Sequence, residues 1–164
     1  MRVISGIYKG RNIEGFNMPG TRPTMDRVKE SLFASVQSSL KDATILDLFS
    51  GSGSLAIEAL SQGAKEAYAV DKSYQAIKVI DTNIKNINVK DCKVIKADYK
   101  TALKTFFDQN IKFDLIFLDS TYMGNEAYFD IYQLNLYILY NIYCVSKELF
   151  HHLDECLNKD LIQL

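Results

Sequence analysis

Residues 44–56, Thr-Ile-Leu-Asp-Leu-Phe-Ser-Gly-Ser-Gly-Ser-Leu-Ala, constrain the fold more than any other segment. An apolar run interrupted only by Asp47 is expected for a strand buried on both faces. Gly51 and Gly53 then let the backbone turn sharply into a helix over residues 55–62, which Gly63 ends. Residues 67–71 read as a second short strand after a brief connection, completing a strand–helix–strand unit. The alternation continues with a helix over 74–86, a strand over 93–96, a helix over 101–107 and a strong strand over 113–119. Four strands alternating with helices predict an α/β chain with a mostly parallel sheet and flanking helices.

Upstream, Val3, Ile4, Tyr8, Ile13 and Phe16 fall between Gly6, Gly10, Gly15 and Gly20, the pattern of short strands broken by turns, so residues 1–20 predict a small β extension. Thr24 can cap a helix that carries Val28, Leu32, Phe33 and Val36 on one face and ends near Leu40. At 164 residues, a single domain is expected: the extension (1–20), a core (21–122) and an atypical C-terminal segment (123–164). Residues 127–140 read as helix without a clean period, and 148–158 as a final helix. Cys92, Cys144 and Cys156 lack metal-ligand spacing, as do the adjacent His151 and His152, so no metal is expected and the thiols read as reduced. With neither a secretory signal pattern nor an apolar run of membrane-spanning length, a cytoplasmic protein with no membrane partner is expected. The formal net charge of −1 gives no global field for a polyanion, so any nucleic-acid binding must come from a local basic cluster.

The glycine turn between strand and helix is a nucleotide-binding context, because a ligand can approach the helix N-terminus closely. Asp71, at the end of the next strand, stands where a ribose diol would be gripped. Dinucleotides place a pyrophosphate on the helix N-terminus, whereas S-adenosylmethionine presents an amino-acid group near the first strand. A carboxylate at Asp47 repels the former and suits an ammonium, which favours S-adenosylmethionine. Asp98, followed by Tyr99, lies at the same sheet edge after the third strand. It reads equally as an acceptor for the adenine amine and as a helix cap. The expected cofactor-binding residues are Asp47, Phe49, Ser50, Gly51, Gly53, Asp71, Lys72, Asp98 and Tyr99.

After the fourth strand, Asp119-Ser120-Thr121-Tyr122 resembles the Asp-Pro-Pro-Tyr motif of amino-methyltransferases. That resemblance implies that Asp119 and the carbonyl of Ser120 accept the two hydrogens of an exocyclic amine while Tyr122 stacks on the base. The two prolines that stiffen the motif are absent here. Further specific pieces are Met1-Arg2-Val3-Ile4-Ser5-Gly6 with Lys9-Gly10-Arg11, Thr21-Arg22-Pro23-Thr24 with Asp26-Arg27-Val28-Lys29, Leu32-Phe33, and residues 47–59. Through these, residues 1–122 resemble the bacterial 16S ribosomal RNA guanine-N2 methyltransferases, the RsmD family. The resemblance implies a Rossmann-like class I methyltransferase fold with an N-terminal β extension. It also implies S-adenosylmethionine as cofactor and a guanine N2 amine of 16S ribosomal RNA as substrate, within a small ribosomal subunit or an assembly intermediate.

Six basic residues against three acidic ones in the first thirty positions supply the local positive cluster. Arg2, Lys9, Arg11, Arg22, Thr24, Arg27 and Lys29 are the expected RNA contacts. Arg22 and Thr24 equally suit the border of the cofactor pocket. Beyond Tyr122 the family pattern of further strands is not found: residues 123–164 hold one glycine, no proline and many Tyr, Leu and Ile. The expectation is therefore a truncated or C-terminally altered member that lacks the strands completing the sheet, leaving the fourth strand as an edge. Two competing functions follow: an inactive RNA- or cofactor-binding remnant, and a nicotinamide-dependent Rossmann enzyme.

Overall fold

A computed structural model describes residues 1–15 and 26–118. After the N-terminal segment come α1 (Asp26–Val36), a short 3-10 turn (Gln37–Ser39), β1 (Thr44–Asp47), α2 (Ser54–Ser61), β2 (Glu66–Asp71), α3 (Tyr74–Ile87), β3 (Cys92–Lys96), α4 (Tyr99–Asp108) and β4 (Leu115–Phe117). The four strands form one sheet in the order β3-β2-β1-β4, and all three pairings are parallel. The helices and strands predicted between residues 26 and 118 reappear with boundaries shifted by a few residues.

The strand period of two sorts side chains onto two faces. Ile45 of β1, Ala67 and Ala69 of β2, and Leu115 and Phe117 of β4 face one side, where Phe33 of α1, Ile57 of α2 and Ile80 of α3 pack on them. Leu46, Tyr68, Val70 and Ile116 face the other, under Phe106 of α4 and Phe113, whose rings meet Tyr68 and each other edge-on with centroids 5.0–5.5 Å apart. β1 is thus buried on both faces, as its continuous apolar run predicts. Each fully buried Leu, Ile or Phe in these two cores stabilises the fold by about 1.5–3 kcal/mol. No helix among the described residues is long and apolar enough to cross a membrane.

Two expectations need correction. The N-terminal extension is a looped segment with a single antiparallel bridge, Arg2 to Asn12, where short strands were predicted. Gly6 and Gly10, both at φ +81°, fold the chain back too tightly for a continuous ladder, leaving isolated backbone bonds such as Val3 to Arg11. The first helix gives way at Val36 to the 3-10 turn, short of Leu40, and its predicted cap Thr24 lies outside the described residues. Residues 119–164, with the two predicted helices and the expected loss of strands, also lie outside them.

Candidate cofactor pocket and substrate face

Two carboxylates shape the loop between β1 and α2. Asp47 is 1% exposed, and its Oδ2 accepts from the backbone N–H of Ala56, in the first turn of α2, at 3.2 Å. A strand carboxylate therefore occupies the positive end of that helix, where a pyrophosphate would otherwise be drawn. Asp71, at the end of β2, accepts from Gly51 N–H at 2.9 Å through Oδ2 and from Ser73 N–H at 2.8 Å through Oδ1. Ser50 closes the turn, its hydroxyl donating to Asp47 O at 2.7 Å and its amide to Val70 O at 2.9 Å. Gly53 precedes α2 at φ +75°, and a Cβ there would stand 3.2 Å from Ile80 Cγ2 on α3. Both a left-handed backbone and a close approach call for glycine at that position.

The structure thus brings Asp47, Ser50, Gly51, Gly53 and Asp71 together at the C-terminal edge of the sheet. Phe49 and Tyr99 join them across the edge with ring centroids 5.9 Å apart, and Lys72 is exposed beside Asp71. Of the two readings of Asp98, the cap is realised. Its carboxylate accepts from Thr101 Oγ1 at 2.6 Å and Thr101 N–H at 3.1 Å, and these bonds, the hydroxyl's foremost, hold its pKa below the usual aspartate value. Near the same edge the Tyr74 ring is exposed, with Lys78 Nζ 4.7 Å and Lys96 Nζ 5.3 Å from its centroid. Behind the loop, burial and then the Asp47 and Asp81 carboxylates push the Cys92 thiol up to about 12.

On the expected RNA face, Arg2, Lys9, Arg11 and Arg27 are exposed, Arg2 lying 3.7 Å from Asp26. Lys29 is not available to RNA. It is fully buried, 3.3 Å from Glu58 of α2, and donates to Arg2 O at 2.7 Å. Glu58, equally buried, also accepts from the backbone N–H groups of Ile4 and Ser5 at 2.9 Å each and from Gln62 Nε2 at 2.9 Å. The charge at Lys29 was counted correctly but serves to neutralise an internal carboxylate. Glu58 escaped the sequence reading, although an acidic residue inside the apolar stretch Leu-Ala-Ile-Glu-Ala-Leu was a signal that it is buried and paired.

Arg22 and Thr24 lie outside the described residues, as do Asp119, Ser120 and Tyr122. β4 nevertheless pairs with β1 in the register Asp47 to Phe117, so the chain reaches Leu118 at the same sheet edge as the glycine loop.

Residues 1–150 match the family described as Conserved hypothetical protein 95. The chain belongs to this family. As a member of the Conserved hypothetical protein 95 family it is 41% identical over 123 residues to YlbH of Bacillus subtilis (strain 168), a candidate rRNA methyltransferase, covering 74% of this chain and 67% of YlbH. It is 34% identical over 120 residues to Ribosomal RNA small subunit methyltransferase D of Buchnera aphidicola subsp. Acyrthosiphon pisum (strain APS), covering 73% of this chain and 62% of that protein. The resemblance drawn from residues 1–122 is therefore upheld. Across the curated relatives named Ribosomal RNA small subunit methyltransferase D, the chain spans about three-fifths to two-thirds of their length.

Among solved structures, HI0767 of Haemophilus influenzae, a candidate methylase, matches at 28% identity with a TM-score of 0.65, covering 87% of this chain and 79% of that one. SMU.776, a candidate methyltransferase complexed with SAH, shares the fold at 18% identity and a TM-score of 0.58, covering 68% of this chain and 34% of that one. The Conserved hypothetical protein 95 chain thus carries the fold of class I methyltransferases.

Proposed function

We propose that this protein transfers a methyl group from S-adenosylmethionine to the exocyclic N2 amine of a guanine in small-subunit ribosomal RNA. The observation that carries the reading is the pair of carboxylates around the glycine loop. Asp47 already occupies the α2 N-terminus, which disfavours a pyrophosphate-bearing nicotinamide cofactor, while Asp71 stands beside Gly51 with acceptor capacity left for a ribose diol. The names of the relatives, rRNA methyltransferases among them, and the SAH held by SMU.776 support the same choice.

The cofactor supplies an electrophilic methyl group when bound, and the residues of this chain bind and orient. Asp71 would accept the ribose hydroxyls, with Lys72 beside it. The rings of Phe49 and Tyr99 would hold the adenine, and Asp98, besides capping α4, would keep a lone pair for its amine. The Asp47 carboxylate would attract the ammonium of the amino-acid group. Asp119 and the carbonyl of Ser120 accept the two N2 hydrogens of guanine, aiming the nitrogen lone pair, while Tyr122 stacks on the base. Arg2, Lys9, Arg11 and Arg27 hold phosphates, and Arg22 and Thr24 are proposed to contact the RNA with them. Catalysis then rests on alignment rather than on a strong base.

The test is methyl transfer from labelled S-adenosylmethionine to small-subunit particles that lack the modification, with the product base mapped by digestion. Label on a guanine N2 is the expected result, and transfer to another atom overturns the assignment. Asp71→Asn removes a charged acceptor worth about 1.5–3 kcal/mol, so cofactor affinity drops by about 10–100-fold. A second reading, a binding remnant without activity, is favoured by Ser120 and Thr121 standing where the motif has prolines. Binding of cofactor or RNA without transfer would establish it, and absence of cofactor binding defeats the methyltransferase reading while leaving only an RNA-binding remnant.

A further inference from the structure

Asn83 of α3 is fully buried and makes three hydrogen bonds, all to backbone of distant segments. Its Oδ1 accepts from Glu14 N–H at 2.8 Å, and its Nδ2 donates to Glu14 O and to Ser52 O at 3.0 Å each. The network fixes the amide orientation, since the flipped form would set NH2 against an N–H and an oxygen against two carbonyls. Ser52 is the residue between the two glycines of the cofactor loop. Glu14 lies next to the end of the described part of the N-terminal segment, which is also fastened to Glu58 and Ser61 of α2, to Lys29 of α1 through Arg2 O, and to the Lys90 amide through the Tyr8 hydroxyl. One turn earlier on α3, Ile80 supports Gly53. The same face of α3 is therefore the bed of the cofactor loop and the last anchor of the segment that carries Arg2, Lys9 and Arg11.

We infer that Asn83 is a positioning residue that joins the cofactor loop to the RNA-facing N-terminal segment, so that occupancy of one raises affinity at the other. This rests on the function proposed above. A loop ordered by cofactor fixes Ser52 O, which fixes the Asn83 amide and through it the Glu14 backbone; by linkage, RNA tightens cofactor by the same factor. Glycine loop and basic segment meet at no other side chain among the described hydrogen bonds.

The measurement is S-adenosylmethionine affinity of the full chain, alone and with a saturating fragment of small-subunit ribosomal RNA. The native protein is expected to show about fivefold or greater tightening with RNA, at the low end of usual couplings. Asn83→Asp keeps the acceptor for Glu14 N–H and loses both donors, so the ratio falls toward one. Glu14→Pro, at an exposed position, removes the 2.8 Å bond while leaving Asn83 and Ser52 in place. Its ratio also falls, with cofactor affinity in the absence of RNA held within about twofold of native, a split that general loosening would not produce. An unchanged ratio in folded Glu14→Pro, or a ratio of one in the native protein, overturns the inference and leaves the proposed function standing. A native protein that binds no cofactor overturns that function, and this inference with it.

Discussion

Lys29 and Glu58 show how little the identity of a charged residue says about its work. Within the first thirty positions Lys29 is one basic residue among six, and only the fold reveals that a carboxylate 29 residues later has drawn it inside. Lys29→Met leaves that carboxylate buried without its cation, and urea unfolding is expected to show a loss of about 3–5 kcal/mol. Replacing Glu58 as well restores only part of this, because the amides of Ile4 and Ser5 then lose their acceptor. Cys92 offers a second residue-level test. With its thiol raised to about 12, site-resolved alkylation at pH 8 is expected to be at least about a hundredfold slower than in urea. The folded thiol keeps its proton where the unfolded one has lost it, so this group lowers stability as pH rises above its ordinary value of 9.0, and Cys92→Ala flattens that decline.

Elements were legible where periodicity was strong and local. The glycine turn, β1 and its neighbours could be read because burial on both faces leaves a run of apolar residues that no surface segment would carry. Asp98 was undecidable from position, since a sheet edge and a helix start coincide there; the hydrogen bonds to Thr101 make it a cap. The N-terminal segment was misread as strands because alternating apolar residues look the same whether they enter a ladder or dock singly, as Val3 and Ile13 do. Its docking depends on Gly6, where a Cβ would overlap the carbonyl of Ser61 at 1.7 Å. Gly6→Ala is expected to release the segment, losing about 3 kcal/mol from Val3 and Ile13 alone, with limited proteolysis cutting within residues 1–15. Retained protease resistance would contradict this.

On the scale of the whole molecule, the sheet order could not be read from the strands themselves, because parallel pairing is decided by crossovers and not by any local signal. β1 lies between β2 and β4, so its amides are expected to exchange hydrogen only through global unfolding, whereas those of Val3, Gly10 and Ile13 exchange at least about tenfold faster by local opening. Protection in the reverse order would contradict the topology. The position of β1 also has a consequence for synthesis. Thr44 awaits its bond to Asp114, 70 residues downstream, so translation at about 5–20 residues per second leaves one side of the central strand bare for roughly 4–14 s after β1 is made. A nascent chain halted before residue 114 presents that apolar edge to whatever is nearby, which makes this interval the time of greatest need for a chaperone.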